Sequence, residues 1–124
     1  MITMGNRISK VVTRNGDRGT TTLANGQQYS KGALAIEAIG VVDELNALIG
    51  IGIYHLNCAE LTTIADEWLT LQHHLFNLGG ELALPNQILF KEEQITILEE
   101  RITHYNEQLP PLKEFILPTG SLLI

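Results

Sequence analysis

Apolar residues recur at helical spacing from Leu34 onward and show no such rhythm before it. At 100° per residue, Leu34, Ala38, Val42, Leu45, Ile49 and Ile53 share one broad face flanked by Val41 and Leu48, which predicts a first helix over roughly 33–55. Asp43 points away from that face and Asn46 lies between the two sides. Gly40, Gly50 and Gly52 cost helix propensity and suggest close approach by a neighbour or a ligand. A second helix, roughly 60–82, gathers Leu61, Ile64, Ala65, Trp68, Leu71, Leu75, Leu78 and Leu82 on one side. Its other side carries Thr63, Asp66, Thr70, His73, His74, Asn77 and Glu81, and Pro85-Asn86 supplies a stop. A third, roughly 91–109, keeps 3-4-3-4 spacing through Ile95, Leu98, Ile102, Tyr105 and Leu109 before Pro110-Pro111.

No repeat and no linker interrupts this pattern, so residues 1–124 read as a single all-α domain, a helical bundle with about three complete helices. Faces this wide are better buried with one or two further helices. "FILPTGSLLI" ends in a Ser fit to cap a helix, followed by Leu122, Leu123 and Ile124, the expected first turn of a fourth. The expectation is that other subunits supply the missing partners or that the chain is C-terminally truncated. Residues 1–31 are polar and dotted with turn signals. "KVVT" and "TTL" are short β-prone pieces able to pair, within a segment expected to be mostly ordered loop.

Composition narrows the class. At 44% hydrophobic and 18% charged the chain is globular rather than disordered. A net charge of −6 argues against a general nucleic-acid binder, so an anionic partner must be held by local cations and backbone N–H groups. Cys58 is the sole cysteine and cannot form an internal disulfide, which fits a reducing compartment. "MITMGNRISKVV" has no apolar signal region and no run suits a membrane span, so a cytoplasmic protein is expected.

The candidate chemistry starts in "TRNGDRGTTT", Thr13 to Thr22, which can build no core. Gly16 and Gly19 around Asp17 let the backbone turn its N–H groups toward an anion. Arg14 and Arg18 bring guanidinium forks suited to phosphate, and the threonines bring hydroxyls. Neither a Walker A loop nor a dinucleotide-binding fingerprint is present. A charged surface turn remains the alternative. Lys31 precedes helix one, where the dipole also favours negative charge; a solvated lysine is the plainer use. Asp43, with Asn46 at i+3 and Gly50 at i+7, suits an interface contact or salt bridge first and a site at a subunit contact second. His73 and His74 diverge on a helix and have no ligand at i+4, so no protein-chelated metal is expected. Cys58 has no Cys-x-x-Cys partner, and Trp68 and Tyr105 lie on core stripes.

Three pieces in order, "TRNGDRGTTTL", "GVVDELNALIG" and "PPLKEFILPTGS", together with "LFNLGGELA", resemble the propanediol-utilisation type of ATP:cob(I)alamin adenosyltransferase over about residues 8–121. The resemblance implies a five-helix, ferritin-like up-down bundle with an N-terminal nucleotide-binding loop. It implies a homotrimer with ATP and the corrinoid, cobalamin, at each subunit interface. The loop Thr13, Arg14, Asn15, Gly16, Asp17, Arg18, Gly19, Thr20, Thr21 and Thr22 would then close over the triphosphate with Mg²⁺, and Lys31 would contact the nucleotide. Asp43 matches an acid that pairs with an arginine of the penultimate helix, and Phe115 an aromatic beside the corrin ring. The implied reaction transfers the 5′-deoxyadenosyl group of ATP to the cobalt of cob(I)alamin, releasing triphosphate, with a corrin reductase as a further partner. The chain departs from the pattern after Lys31, where "GALAIEA" replaces an acidic pair and an arginine, and past "FILPTG", where the family's arginine-rich and final helices are absent. A truncated, non-catalytic nucleotide- or corrinoid-binding or oligomerisation module is the alternative function.

Overall fold

The computed structural model describes residues 10–117 and 120. The start of a fourth helix expected at Leu122–Ile124 lies outside them. A short antiparallel hairpin comes first, β1 (Thr20–Thr22) with β2 (Gln28–Ser30), in the register Thr20↔Ser30, Thr21↔Tyr29 and Thr22↔Gln28. The strand partner of the threonines is therefore "QYS" and not the expected "KVVT". The cause is the turn between them. Gly26 N–H donates to Leu23 O at 2.9 Å, Asn25 Oδ1 accepts Gln27 N–H at 2.9 Å, and Gly26 takes φ +78°, a region where glycine has no steric penalty.

Three helices follow: α1 (Leu34–Cys58), α2 (Thr62–Ala83) and α3 (Glu93–Asn106). They confirm an all-α architecture carrying one small hairpin. α1 and α2 run antiparallel, since Val42 faces Gly79 while Gly52 faces Trp68. At the crossing near Gly52 the helices are in close contact: a Cβ built there would lie 2.4 Å from Trp68 Cζ3. Midway, Asn46 Nδ2–H donates to Gln72 O at 3.2 Å and Gln72 Nε2–H returns a bond to Asn46 O at 3.0 Å. Each amide side chain thus reaches the other helix's backbone, which fixes the pair lengthwise.

The seam of α1 that α2 covers runs through Ile39, Val42, Asn46, Ile49, Ile53 and Leu56. Leu34 and Leu45, expected on the inner face, are exposed at 83% and 46%. Ala65 of α2 is the sole fully buried hydrophobic among the described residues. Most of the large apolar side chains of α1, α2 and α3 consequently remain open to one side, as the width of their faces required.

α3 returns along α2 but stands off from it. Between them is a cavity of about 330 Å³ lined mainly by Trp68, Leu71, Ile97, Leu98 and Ile102. One end is closed by polar contacts: Arg101 donates to Glu67, and Tyr105 Oη donates to Glu67 Oε2 at 3.0 Å. The guanidinium also sits 5.2 Å from the centre of the Tyr105 ring. Near the other end Glu81 Oε2 accepts the Leu89 and Phe90 N–H groups at 3.1 and 3.0 Å, and His74 meets Phe90 edge-on. Glu81 and His74, on the side of α2 opposite its apolar stripe, pin the chain segment leading to α3. Tyr105 is likewise more than a core residue.

Burial opposes ionisation of Glu67, but hydrogen bonds from Arg101 and Tyr105 and the charges of Arg101 and His104 outweigh it and hold the carboxyl below the ordinary glutamate range. A carboxylate depressed on folding contributes stability above its unfolded pKa, and that contribution disappears as pH falls through the folded value. Glu67→Gln is therefore expected to lower the Tm at pH 7, modestly because Glu67 is 29% exposed. The deficit relative to wild type should shrink below about pH 4.3, the unperturbed glutamate pKa. Paired melts from pH 7 into the acid range read it; a pH-independent deficit would assign the effect to packing instead.

Candidate functional site

The polar stretch before α1 is folded into two consecutive turns. Asp17 N–H donates to Arg14 O at 3.3 Å and Gly19 N–H to Gly16 O at 3.1 Å, while Asn15 N–H reaches Thr13 Oγ1 at 3.4 Å. Among the described residues the N–H groups of Gly16 and Arg18 have no acceptor. Arg14 has φ +61° and Gly19 φ +83°, so the first of these turns opens on a non-glycine residue in the left-handed region and the second ends on a glycine there. The side chains of Thr13, Arg14, Asn15, Asp17 and Arg18 are exposed, whereas Gly16 is half-buried. Thr20, Thr21 and Thr22 leave the loop as β1.

The loop is closed on Lys31. Lys31 N–H donates to Gly19 O at 2.9 Å, and the lysine side chain folds back until its ammonium lies against Gly16. Two residues later Ala33 is the N-cap position of α1, and it carries no side-chain cap. Arg14, Arg18, Lys31 and the start of a 25-residue helix thus belong to one connected segment. Uncapped N–H groups at a helix start favour negative charge. No cluster of three or more His, Cys, Asp or Glu side chains able to hold a metal ion occurs among the described residues.

Asp43 is exposed on the outer side of α1 and lines an open cleft with Asn46, Ala47, Leu69, Gln72, His73 and Phe76. Asn46 Oδ1 is buried at the floor of this contact and has no donor among the described residues. Phe76 is 75% exposed beside it. An acid, an unsatisfied amide oxygen and an uncovered aromatic therefore share one surface. Phe115 follows α3 in a segment without regular structure and is fully exposed. No hydrogen bond or ion pair among the described residues joins Asp43 or Phe115 to the loop. The structure thus unites Thr13–Thr22 with Lys31 and leaves Asp43 and Phe115 as separate exposed positions. Asn46 and Gln72 carry the floor of the Asp43 cleft; their signal in the sequence is a polar pair on otherwise apolar helix faces.

Comparison with known proteins gives three findings. The family model described as cobalamin adenosyltransferase matches residues 11–124. A cobalamin adenosyltransferase of Cupriavidus metallidurans is 49% identical over 118 residues, covering 95% of this chain and 63% of the relative. A corrinoid adenosyltransferase of Bacillus subtilis is 40% identical, covering 90% and 60%. The chain is also similar to a variant of the PduO-type ATP:corrinoid adenosyltransferase from Lactobacillus reuteri, solved in complex with cobalamin and ATP, with a TM-score of 0.82, 35% identity, and coverage of 92% of this chain and 66% of that one. The chain spans about three fifths of the length of these two curated relatives.

Proposed function

This chain belongs to the cobalamin adenosyltransferase family, and from that premise we propose that it serves ATP:corrinoid adenosyl transfer, with Thr13–Thr22 and Lys31 as the triphosphate site. The observation carrying this reading is the closure of the loop on Lys31 through the Lys31 N–H to Gly19 O bond. It sets two arginines, a lysine and backbone N–H groups that have no acceptor among the described residues along one segment of a protein whose net charge is −6. The relative solved with ATP and cobalamin supports the same pair of ligands.

In the transfer the cobalt of cob(I)alamin attacks C5′ of ATP with its own electron pair. The C5′–O bond breaks, and the electrons leave with triphosphate. Reduced cobalt is a strong nucleophile, so the protein needs no general base, and its task is alignment and charge stabilisation. Arg14, Arg18 and Lys31 neutralise the departing triphosphate. Asp17 and the threonine hydroxyls are oxygen donors of the kind Mg²⁺ prefers and would hold it there, where it would add positive charge for the departing triphosphate. Phe115 is an apolar side chain suited to lie beside the corrin and keep water from the cobalt.

Asp43 and Phe115 stand apart from the loop within one chain, which favours a homotrimer whose sites form between subunits. Asn46 Oδ1 has no donor among the described residues beside Asp43, and an arginine of a facing segment would satisfy both. A corrin reductase would supply the reduced cofactor. We place the protein in the cytoplasm; no described helix is long and apolar enough to cross a membrane, and Cys58 is unpaired.

The test mixes the full-length protein with ATP, Mg²⁺ and chemically reduced cob(I)alamin and follows adenosylcobalamin and triphosphate together. Equimolar formation of both is expected. Asp43→Asn should lower turnover at least about tenfold, the loss of one charge-assisted contact, with little change in Tm because Asp43 is exposed. No adenosylcobalamin under conditions where a relative turns over would overturn the reading in favour of a binding module.

A further inference from the structure

We infer that Gly16 is a positioning residue: its missing side chain is the seat in which the Lys31 ammonium rests, ready for the triphosphate. The inference rests on the nucleotide reading of the loop and adds how that loop holds its lysine.

A Cβ built on Gly16 would lie 2.6 Å from Lys31 Nζ and 2.8 Å from Lys31 Cε. Both distances are inside van der Waals contact, so any side chain at position 16 must push the ammonium out. Conformation is not the reason for glycine here. Among the described residues the glycines with positive φ are Gly19 and Gly26, and Gly16 is not one of them. An alanine would accept the backbone of Gly16 as it stands. Its other close contact is Thr20 O at 3.2 Å, which a shift of a few tenths of an ångström relieves. Space, rather than flexibility, is what position 16 provides.

The backbone fixes the other end of the same side chain. Lys31 N–H is bound to Gly19 O, so the stem starts from a defined point and the tip finishes over Gly16. Among the described residues the ammonium has no hydrogen-bond or ion-pair partner. The ion pair found among the described residues is Arg101 with Glu67, and Lys31 has no carboxylate within reach. A lysine normally loses much rotamer freedom when it engages an anion. One already seated has lost part of it before the ligand arrives, which strengthens binding without adding a contact. Gly16 N–H, also without an acceptor among the described residues, lies at the same spot.

Gly16→Ala should leave the helices folded and displace only the lysine tip. The experiment uses the full-length protein as wild type, Gly16→Ala, Lys31→Met and the double variant. ATP affinity is measured by calorimetry, and ¹³C-methylated lysine spectra are recorded without ligand, the Lys31 signal being the one absent in Lys31→Met. Expected results are a moved and sharpened Lys31 signal in Gly16→Ala, and roughly tenfold weaker ATP binding in each single variant. In the Lys31→Met background, Gly16→Ala should weaken binding no further. Additive losses, or an unmoved Lys31 signal in Gly16→Ala, would overturn the seat. A wild type that binds no ATP would instead overturn the nucleotide reading, and the ligand-free spectra would still decide where Lys31 rests.

Discussion

Gly52→Ala is expected to cost about 1–3 kcal/mol of stability, the usual penalty for forcing atoms into a packed contact. The added methyl would sit 2.4 Å from Trp68 Cζ3 and 3.0 Å from Cε3, against the indole that α2 lays on α1. Intrinsic propensity pulls the other way, because alanine is the better helix former by about 1 kcal/mol. Gly40, twelve residues earlier on the same helix, separates the two effects, since nothing lies within 4 Å of a Cβ built there. Gly40→Ala should therefore stabilise the protein by up to about 1 kcal/mol. Urea unfolding of both variants gives shifts of opposite sign if contact with the indole sets the spacing of α1 and α2. Stabilisation at both positions would mean that Trp68 swings aside freely and does not set it.

The second large effect concerns ligand binding. Arg14→Ala should weaken ATP binding by about 10- to 150-fold, corresponding to 1.5–3 kcal/mol for a charge-assisted phosphate contact. The side chain is exposed and the left-handed backbone at φ +61° is as accessible to alanine as to arginine, so the fold should not respond. Asp17→Ala should weaken binding as well, and more in the presence of Mg²⁺ than without it. Raising the salt concentration should narrow the difference between wild type and Arg14→Ala, because exposed charges are screened. Unchanged affinity in both variants would leave Thr13–Thr22 a plain surface turn.

The three helices were legible because apolar spacing is a local property. Expected spans of 33–55, 60–82 and 91–109 meet observed ones of Leu34–Cys58, Thr62–Ala83 and Glu93–Asn106. Rotation about the helix axis was less legible. α1 is apolar nearly all round, so its pattern carries little phase: the spacing predicts Leu34 and Leu45 inside, while Ile39 and Leu56 take the seam. The partner of β1 was missed because three-residue polar strands show no alternation, and the turn at Asn25-Gly26 decides the pairing. Glu67 with Arg101 joins residues 34 apart on different helices, which no local spacing reveals. Arg101 with Tyr105, four apart on α3, was within reach of the helical rule. The loop stands out by composition alone, and the roles proposed for its residues are those the family resemblance implies. That Lys31 lies on Gly16 depends on side-chain placement and could be learned only from the structure.

The reciprocal bonds between Asn46 and Gln72 have a consequence for the short connection from α1 to α2. Sliding one helix along the other by a turn would strand both side-chain amides, so the alignment is set midway along the pair rather than at its corner. The corner at Ala59–Leu61 is exposed, and Glu60 there occupies φ +60°. Relieved of alignment, it is free to drift in length between related proteins, since lengthening a loop adds little closure entropy. A break in the chain at that corner would likewise leave both helices keyed to each other, which makes Ala59–Leu61 the natural place to open new termini or to accept an inserted segment.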